Sequence, residues 1–140
     1  MAASEVFADT SALYALVNRR DAHHAAVSAA LTRVVRAGRL LVTSDYVVTE
    51  TVNLANIRGD KLVAGRVLDL IEQSVGIRVE WIGVERFERT KVFFRKHADH
   101  GYSFTDCSSF VVMKEARIVD ALTTDGHFAE AGFKPLLPVG

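Results

Sequence analysis

Short apolar runs rich in β-branched residues alternate along the chain with longer stretches in which apolar positions recur every three or four residues. That alternation is the sign of an α/β domain with a mostly parallel sheet. Strands are expected near Glu5 to Ala8, Arg39 to Thr43, Ile77 to Trp81 and Val119 to Thr123, with an edge strand near Lys134 to Leu136. Between them, Val6-Phe7-Ala8 hands over through Asp9 to a helix beginning Thr10-Ser11-Ala12. Asp21 is placed to cap a helix over Ala22 to Ala37 that Gly38 ends. Ser44 precedes a helix reaching Ile57, Arg58-Gly59-Asp60 breaks it, and Lys61 to Ser74 forms the next, stopped by Gly76. Val84 to His97 and Thr105 to Ala116 complete the helical pattern, separated by Asp99-His100-Gly101. Pro135 and Pro138 both fall near the C-terminal end, where they interrupt no helix.

Composition narrows the class. A chain of 140 residues with 49% hydrophobic content can bury one good core and is too short for two. No apolar stretch approaches the ~20 residues needed to cross a bilayer, and Met1 to Glu5 lacks the basic start of a signal peptide. A cytoplasmic protein with no membrane partner is expected. The lone cysteine, Cys107, excludes an internal disulfide, and no Cys/His spacing suits a zinc finger. Seventeen basic and seventeen acidic side chains balance, so overall charge does not announce a nucleic-acid partner. Phosphate binding would have to come from local patches or bound metal.

Four carboxylates then stand out, each in or beside an apolar stretch. Asp9 closes the first strand, and Asp125 follows Ile118 to Thr124 at an Asp-Gly turn. Glu50 shares a helix stripe with Val47, Leu54 and Ile57, so it faces inward or lies at the margin of the buried face. Asp106 opens the helix whose inward stripe runs through Ser109, Phe110 and Met113. Each has a structural explanation of its own. Asp9 and Asp125 fit turns, Glu50 fits an ion pair or hydroxyl cap, and Ser103-Phe104-Thr105-Asp106 has the form of a capping box. Jointly, two acids beyond strand ends, one on a helix face and one at a helix start can converge at the carboxyl edge of a parallel sheet, where such folds keep their ligands. Gathered there, they would repel unless protonated or neutralised by a cation. An all-oxygen set favours Mg²⁺ or Mn²⁺ and suits phosphoryl chemistry with an activated water.

The segments Val6-Phe7-Ala8-Asp9-Thr10-Ser11-Ala12-Leu13, Thr43-Ser44-Asp45-Tyr46-Val47-Val48-Thr49-Glu50, Tyr102-Ser103-Phe104-Thr105-Asp106-Cys107 and Thr123-Thr124-Asp125-Gly126-His127-Phe128, in this order and spacing, resemble those of PIN-domain ribonucleases, most closely the VapC-type toxins of toxin–antitoxin pairs. The resemblance covers nearly the whole chain. It implies a single three-layer α/β/α PIN domain over residues 1–140 and an endoribonuclease dependent on Mg²⁺ or Mn²⁺. It also implies a structured RNA substrate such as tRNA or rRNA, a homodimer and a cognate antitoxin. Carried over by motif, Asp9, Glu50, Asp106 and Asp125 are the catalytic and metal-binding acids. Asp9 and Asp106 would be the principal ligands, with Ser11 and Thr123 as hydroxyl support. An antitoxin segment crossing the pocket is expected to bring Arg or Lys.

Other readings weigh less. A dehalogenase-type phosphatase needs an Asp where Ser11 stands, a receiver domain needs a clustered acidic pair, and a dinucleotide site needs a Gly-rich turn after the first strand. A non-catalytic PIN-like module and an RNA-processing nuclease without an antitoxin remain as alternatives. Cys107 lacks a histidine partner and reads as a helix-face residue. His23, His24, His97 and His100 read as surface or capping residues. His127 fits either substrate contact or packing near Phe128. Arg86, Arg89, Lys91, Arg95 and Lys96 read as a solvated helix face that could also follow an RNA backbone.

Overall fold

The structure, a computed structural model, describes residues 5–137; the readings of Met1 to Ser4 and of Pro138 fall outside them. Five strands form one all-parallel sheet in the order β3-β2-β1-β4-β5: β1 (Glu5–Ala8), β2 (Leu40–Ser44), β3 (Ile77–Glu80), β4 (Asp120–Leu122) and β5 (Lys134–Pro135). The helices are α1 (Thr10–Val17), α2 (His24–Arg36), α3 (Asp45–Ile57), α4 (Lys61–Gln73), α5 (Gly83–Lys96), α6 (Phe104–Ala116) and the single turn α7 (His127–Glu130). Together they make the expected three-layer α/β/α arrangement. No helix among the described residues is long and apolar enough to cross a membrane.

The chain builds outward from β1 through β2 to β3 and then crosses to the other side of β1 for β4. The strand order therefore reverses at the β1/β4 junction. In an open parallel sheet such a reversal leaves a crevice beyond the carboxyl ends of the two strands, because their connections leave in opposite directions. Val6, Phe7 and Ala8 pair with Asp120, Ala121 and Leu122, and Asp9 N continues the ladder to Leu122 O at 3.3 Å. Asp9 is thereby carried to the mouth of that crevice by strand register.

The core explains why the elements hold this position. Phe7, Leu13, Leu41, Phe110, Met113, Leu122 and Phe128 are all fully buried. Phe110 meets Phe128 edge-on at 4.9 Å and Tyr102 at 5.1 Å, tying α6, α7 and the segment before α6 together. On α6, every residue from Cys107 to Met113 is buried, not only the stripe through Ser109, Phe110 and Met113. A helix covered on all sides loses the 3.6-residue alternation that marks a surface helix. Ser108 and Ser109 survive this burial by donating to Thr105 O.

Several boundaries differ from expectation. Helix α2 begins at His24, and its N-cap His23 offers no side-chain bond. Asp21 instead accepts from His23 N at 2.8 Å, so it closes a turn ahead of the helix instead of capping it. On α3 the buried face runs Val47, Thr51, Ala55, which leaves Glu50 at its margin and Ile57 82% exposed. Arg86 is held by Glu80, Glu115 and Trp81 O, Arg89 by Glu115 and Lys91 by Glu88. Of the basic face on α5, only Arg95 and Lys96 have no ion-pair partner among the described residues.

Candidate metal centre

Asp9 is the N-cap of α1, and its carboxylate accepts three hydrogen bonds, two from neighbours on α1 and one from just after β4. Oδ1 accepts from Ala12 N at 3.1 Å and Ser11 Oγ at 2.7 Å, while Oδ2 accepts from Thr123 Oγ1 at 2.7 Å. It is 5% exposed. Burial pushes its carboxyl up to about 7, against the pull of Ser11, Thr123 and Ala12, and the charge of Asp125 adds to the rise. Thr123, in turn, accepts from Asp125 N at 2.9 Å, and Ser11 Oγ accepts from Thr124 N at 3.0 Å. The two hydroxyls link the end of β1 to the loop after β4.

Asp106 takes part in two arrangements at once. It completes a capping box with Ser103, in which Ser103 Oγ accepts from Asp106 N at 2.9 Å and Asp106 Oδ2 accepts from Ser103 N at 3.2 Å. The same carboxylate lines the acidic cavity. Burial and the charge of Asp125 raise its carboxyl above the usual range, opposed by Ser103 N and by His127. Glu50, half-buried on α3, accepts from Thr10 Oγ1 at 2.6 Å. Asp125 accepts from His127 N at 2.9 Å and so fixes the turn into α7.

All four predicted acids line one cavity of about 280 Å³, together with Ser11, Tyr14, Asp21, His23 and Arg58. Thr123 stands behind it through its bond to Asp9. The donor set fits a divalent cation. Oxygen donors predominate, they are partly desolvated, and a positive charge beside the deepest of them, Asp9, would favour its ionised form against burial. Cys107 contributes nothing of the kind, since it is buried and its thiol is pushed up to about 11 by burial and then by Asp106.

Sequence reasoning did not single out Thr10, and it named His127 without placing it against Asp106. Thr10 reaches Glu50 across forty positions, a contact that only the packing of α1 on α3 creates. His127 Nδ1 lies 3.2 Å from Asp106 and 3.4 Å from Asp125. The Asp-Gly-His order was visible, but the approach of α6 to that turn was not.

Residues 6–134 match the PIN domain family. Over 134 residues the chain is 33% identical to the 23S rRNA-specific endonuclease VapC20 of two Mycobacterium tuberculosis strains, covering 95% of this chain and 98% of that protein. The crystal structure of VapC20, described as a sarcin-ricin loop cleaving toxin, matches with a TM-score of 0.80 over 91% of this chain and 95% of that one. VapBC2 from Rickettsia felis, bound to a DNA fragment from its promoter, matches with a TM-score of 0.70 at 10% identity over 94% and 96% of the two chains, a likeness of fold alone. Matched along nearly its whole length by sequence and by backbone, the chain belongs to the PIN-domain family, within its VapC group.

Proposed function

We propose that the protein is an endoribonuclease dependent on Mg²⁺ or Mn²⁺, the toxin of a toxin–antitoxin pair. The observation that carries this reading is the convergence of Asp9, Glu50, Asp106 and Asp125 on one cavity beyond the β1/β4 junction. A bound cation there would supply compensation for the clustered carboxylates, a lowered pKa for an attacking water and stabilisation of charge on the scissile phosphate.

The chain's own residues then divide the work. Asp9 and Asp106 would hold the cation, Glu50 and Asp125 would serve as further ligands or orient water, and Ser11 and Thr123 keep Asp9 in one rotamer. Thr10 does the same for Glu50. With Cys107 buried and no activated nucleophile among the residues lining the cavity, hydrolysis proceeds by direct attack of water. The substrate is structured RNA. The relative VapC20 is named for 23S rRNA, which favours ribosomal RNA, and its sarcin-ricin loop in particular, over tRNA.

Next to the acids lies an open groove of about 550 Å³ lined by Tyr46, Leu54, Ile57 and Phe104, and Glu50 and Asp45 are on its wall. An antitoxin segment with apolar side chains could lie there and deliver Arg or Lys to the acids, competing with metal and RNA phosphate. Homodimerisation belongs to the same reading, with the exposed Trp81, Val84 and Val92 offering apolar surface for it.

The reading is tested by incubating partner-free protein with ribosomes and with a pool of tRNAs, in Mg²⁺, Mn²⁺ or chelator, beside Asp9→Asn. We expect one dominant cut in 23S rRNA, lost in chelator and in the variant. Cutting that persists in chelator, or equally in the variant, would overturn it. A cut confined to tRNA would keep the nuclease and replace the substrate.

A further inference from the structure

Where Asp106 and Asp125 meet, the third group is an imidazole. His127 Nδ1 stands 3.2 Å from Asp106 Oδ2 and 3.4 Å from Asp125 Oδ1, and one ligand atom from each of the three residues lies within 4.8 Å of the others. Neighbouring ligands around an octahedral cation at about 2.1 Å are about 3 Å apart. The two distances from Nδ1 are close to that spacing, and the third pair lies within the 4.8 Å that one cation can bridge with small adjustment.

The ring is also held in place by a chain of contacts that leads away from the acids. Tyr102 meets it edge-on at 5.4 Å and stacks on His100 at 5.0 Å with the planes 6° apart. His100 Nδ1 is 2.6 Å from Glu130 Oε1, and Glu130 ends the same short helix that His127 begins. Helix α7 is thus fastened at one end by Asp125, which accepts from His127 N, and at the other by His100. Gly101, at φ 72°, makes the turn that brings His100 and Tyr102 to this stack. These contacts fix the orientation of the ring, so Nδ1 faces the two carboxylates without further rearrangement. In the metal-free chain Nδ1 donates to the Asp106 carboxylate, and Nε2 makes no hydrogen bond among the described residues, so the proton can pass to Nε2 when a cation takes the Nδ1 lone pair.

We propose that His127 Nδ1 is a ligand to a cation shared with Asp106 and Asp125, and that this nitrogen makes the site prefer Mn²⁺ to Mg²⁺. The inference rests on the metal-dependent nuclease reading and deepens it. Mg²⁺ is a hard ion that keeps its waters and takes oxygen, whereas first-row transition ions gain from imidazole. The four acids alone would discriminate weakly between the two ions; the histidine adds the discrimination.

Pulsed electron paramagnetic resonance of Mn²⁺ added to the purified protein reads the proposal without reference to cleavage. A nitrogen coupling from a directly bound imidazole is expected in the wild type and in His23→Gln, whose side chain also lines the cavity, and it should vanish in His127→Gln. Calorimetric titration should show Mn²⁺ affinity falling about tenfold or more in His127→Gln, with Mg²⁺ affinity nearly unchanged. The wild-type spectrum needs no variant to fold; for the variants, thermal unfolding reports integrity. Mn²⁺ bound without nitrogen coupling, or bound equally by folded His127→Gln, would overturn the proposal while leaving the nuclease reading intact, and the imidazole would then be only a counter-charge for the two acids. Failure of the wild type to bind either ion would bring down both.

Discussion

The acidic cavity has two unlike halves. On the side of the sheet, Asp9 is buried, receives three hydrogen bonds from Ser11, Ala12 and Thr123, and sits on the end of a strand whose register fixes it. On the side of the helices, Asp106, Asp125 and His127 lie at the starts of α6 and α7, their side chains 15%, 34% and 37% exposed. The sheet half is preorganised and costly, since burial holds the Asp9 carboxyl at about 7. The helix half is wetter. A buried acid beside more solvated ones would suit the proposed site, where a cation stays bound while substrate enters and leaves.

The largest effect expected from breaking the sheet half is on cleavage. Asp9→Asn keeps the shape of the side chain and removes the charge, so activity should fall at least about a thousandfold, or about 4 kcal/mol in barrier. A steady-state cleavage assay on protein shown to be folded by circular dichroism checks this. A loss confined to a few-fold would make Asp9 structural.

Stability without metal should move the other way. The folded chain holds the Asp9 proton at about 7 against 3.8 for the free side chain, so folding favours the protonated form. Its contribution is fully present below about pH 4 and is lost as pH rises to about 7. A gap of about three pH units corresponds to roughly 4 kcal/mol as an upper bound. Asp9→Asn should therefore be more stable than wild type at pH 8 by a few kcal/mol and should lose that advantage near pH 4. Urea unfolding at the two pH values, in chelator, measures the difference; a variant less stable than wild type at both would refute it.

Smaller effects separate support from ligand. Thr123→Val removes the donor to Asp9 Oδ2 and the acceptor for Asp125 N, and should cost about 10- to 100-fold in activity with about 1–3 kcal/mol of stability. Thr10→Val frees only the half-exposed Glu50 and should cost several-fold in activity with little change in unfolding midpoint. If Thr10→Val cost as much as Thr123→Val, the contrast between the halves would disappear.

Much of this site was legible before any coordinates, because strand ends and helix starts announce themselves locally. The run Val6-Phe7-Ala8 and the turn at Asp125 placed two acids at one sheet edge, and the structure brings both to the same cavity. Asp106 shows that a local explanation and a functional one need not compete, since one carboxylate completes the capping box and lines the site. What stayed hidden depends on contacts between distant segments. Thr10 meets Glu50 only through the packing of α1 on α3, and His127 meets Asp106 only because Phe110 draws α6 and α7 together. Helix α6 was only half read for a related reason, as its burial on every side leaves no polar face to define a period.

The account stands most directly on one measurement: thermal unfolding of wild type and Asp9→Asn at pH 8, each titrated with Mn²⁺ from chelator to saturation. The wild type should begin below the variant and rise steeply with metal, because a cation that binds only the folded chain stabilises it and relieves the buried charge. The variant should begin higher and respond weakly. Equal metal-dependent rises in the two proteins would show that the cation does not depend on the buried carboxylate, and would contradict the central claim.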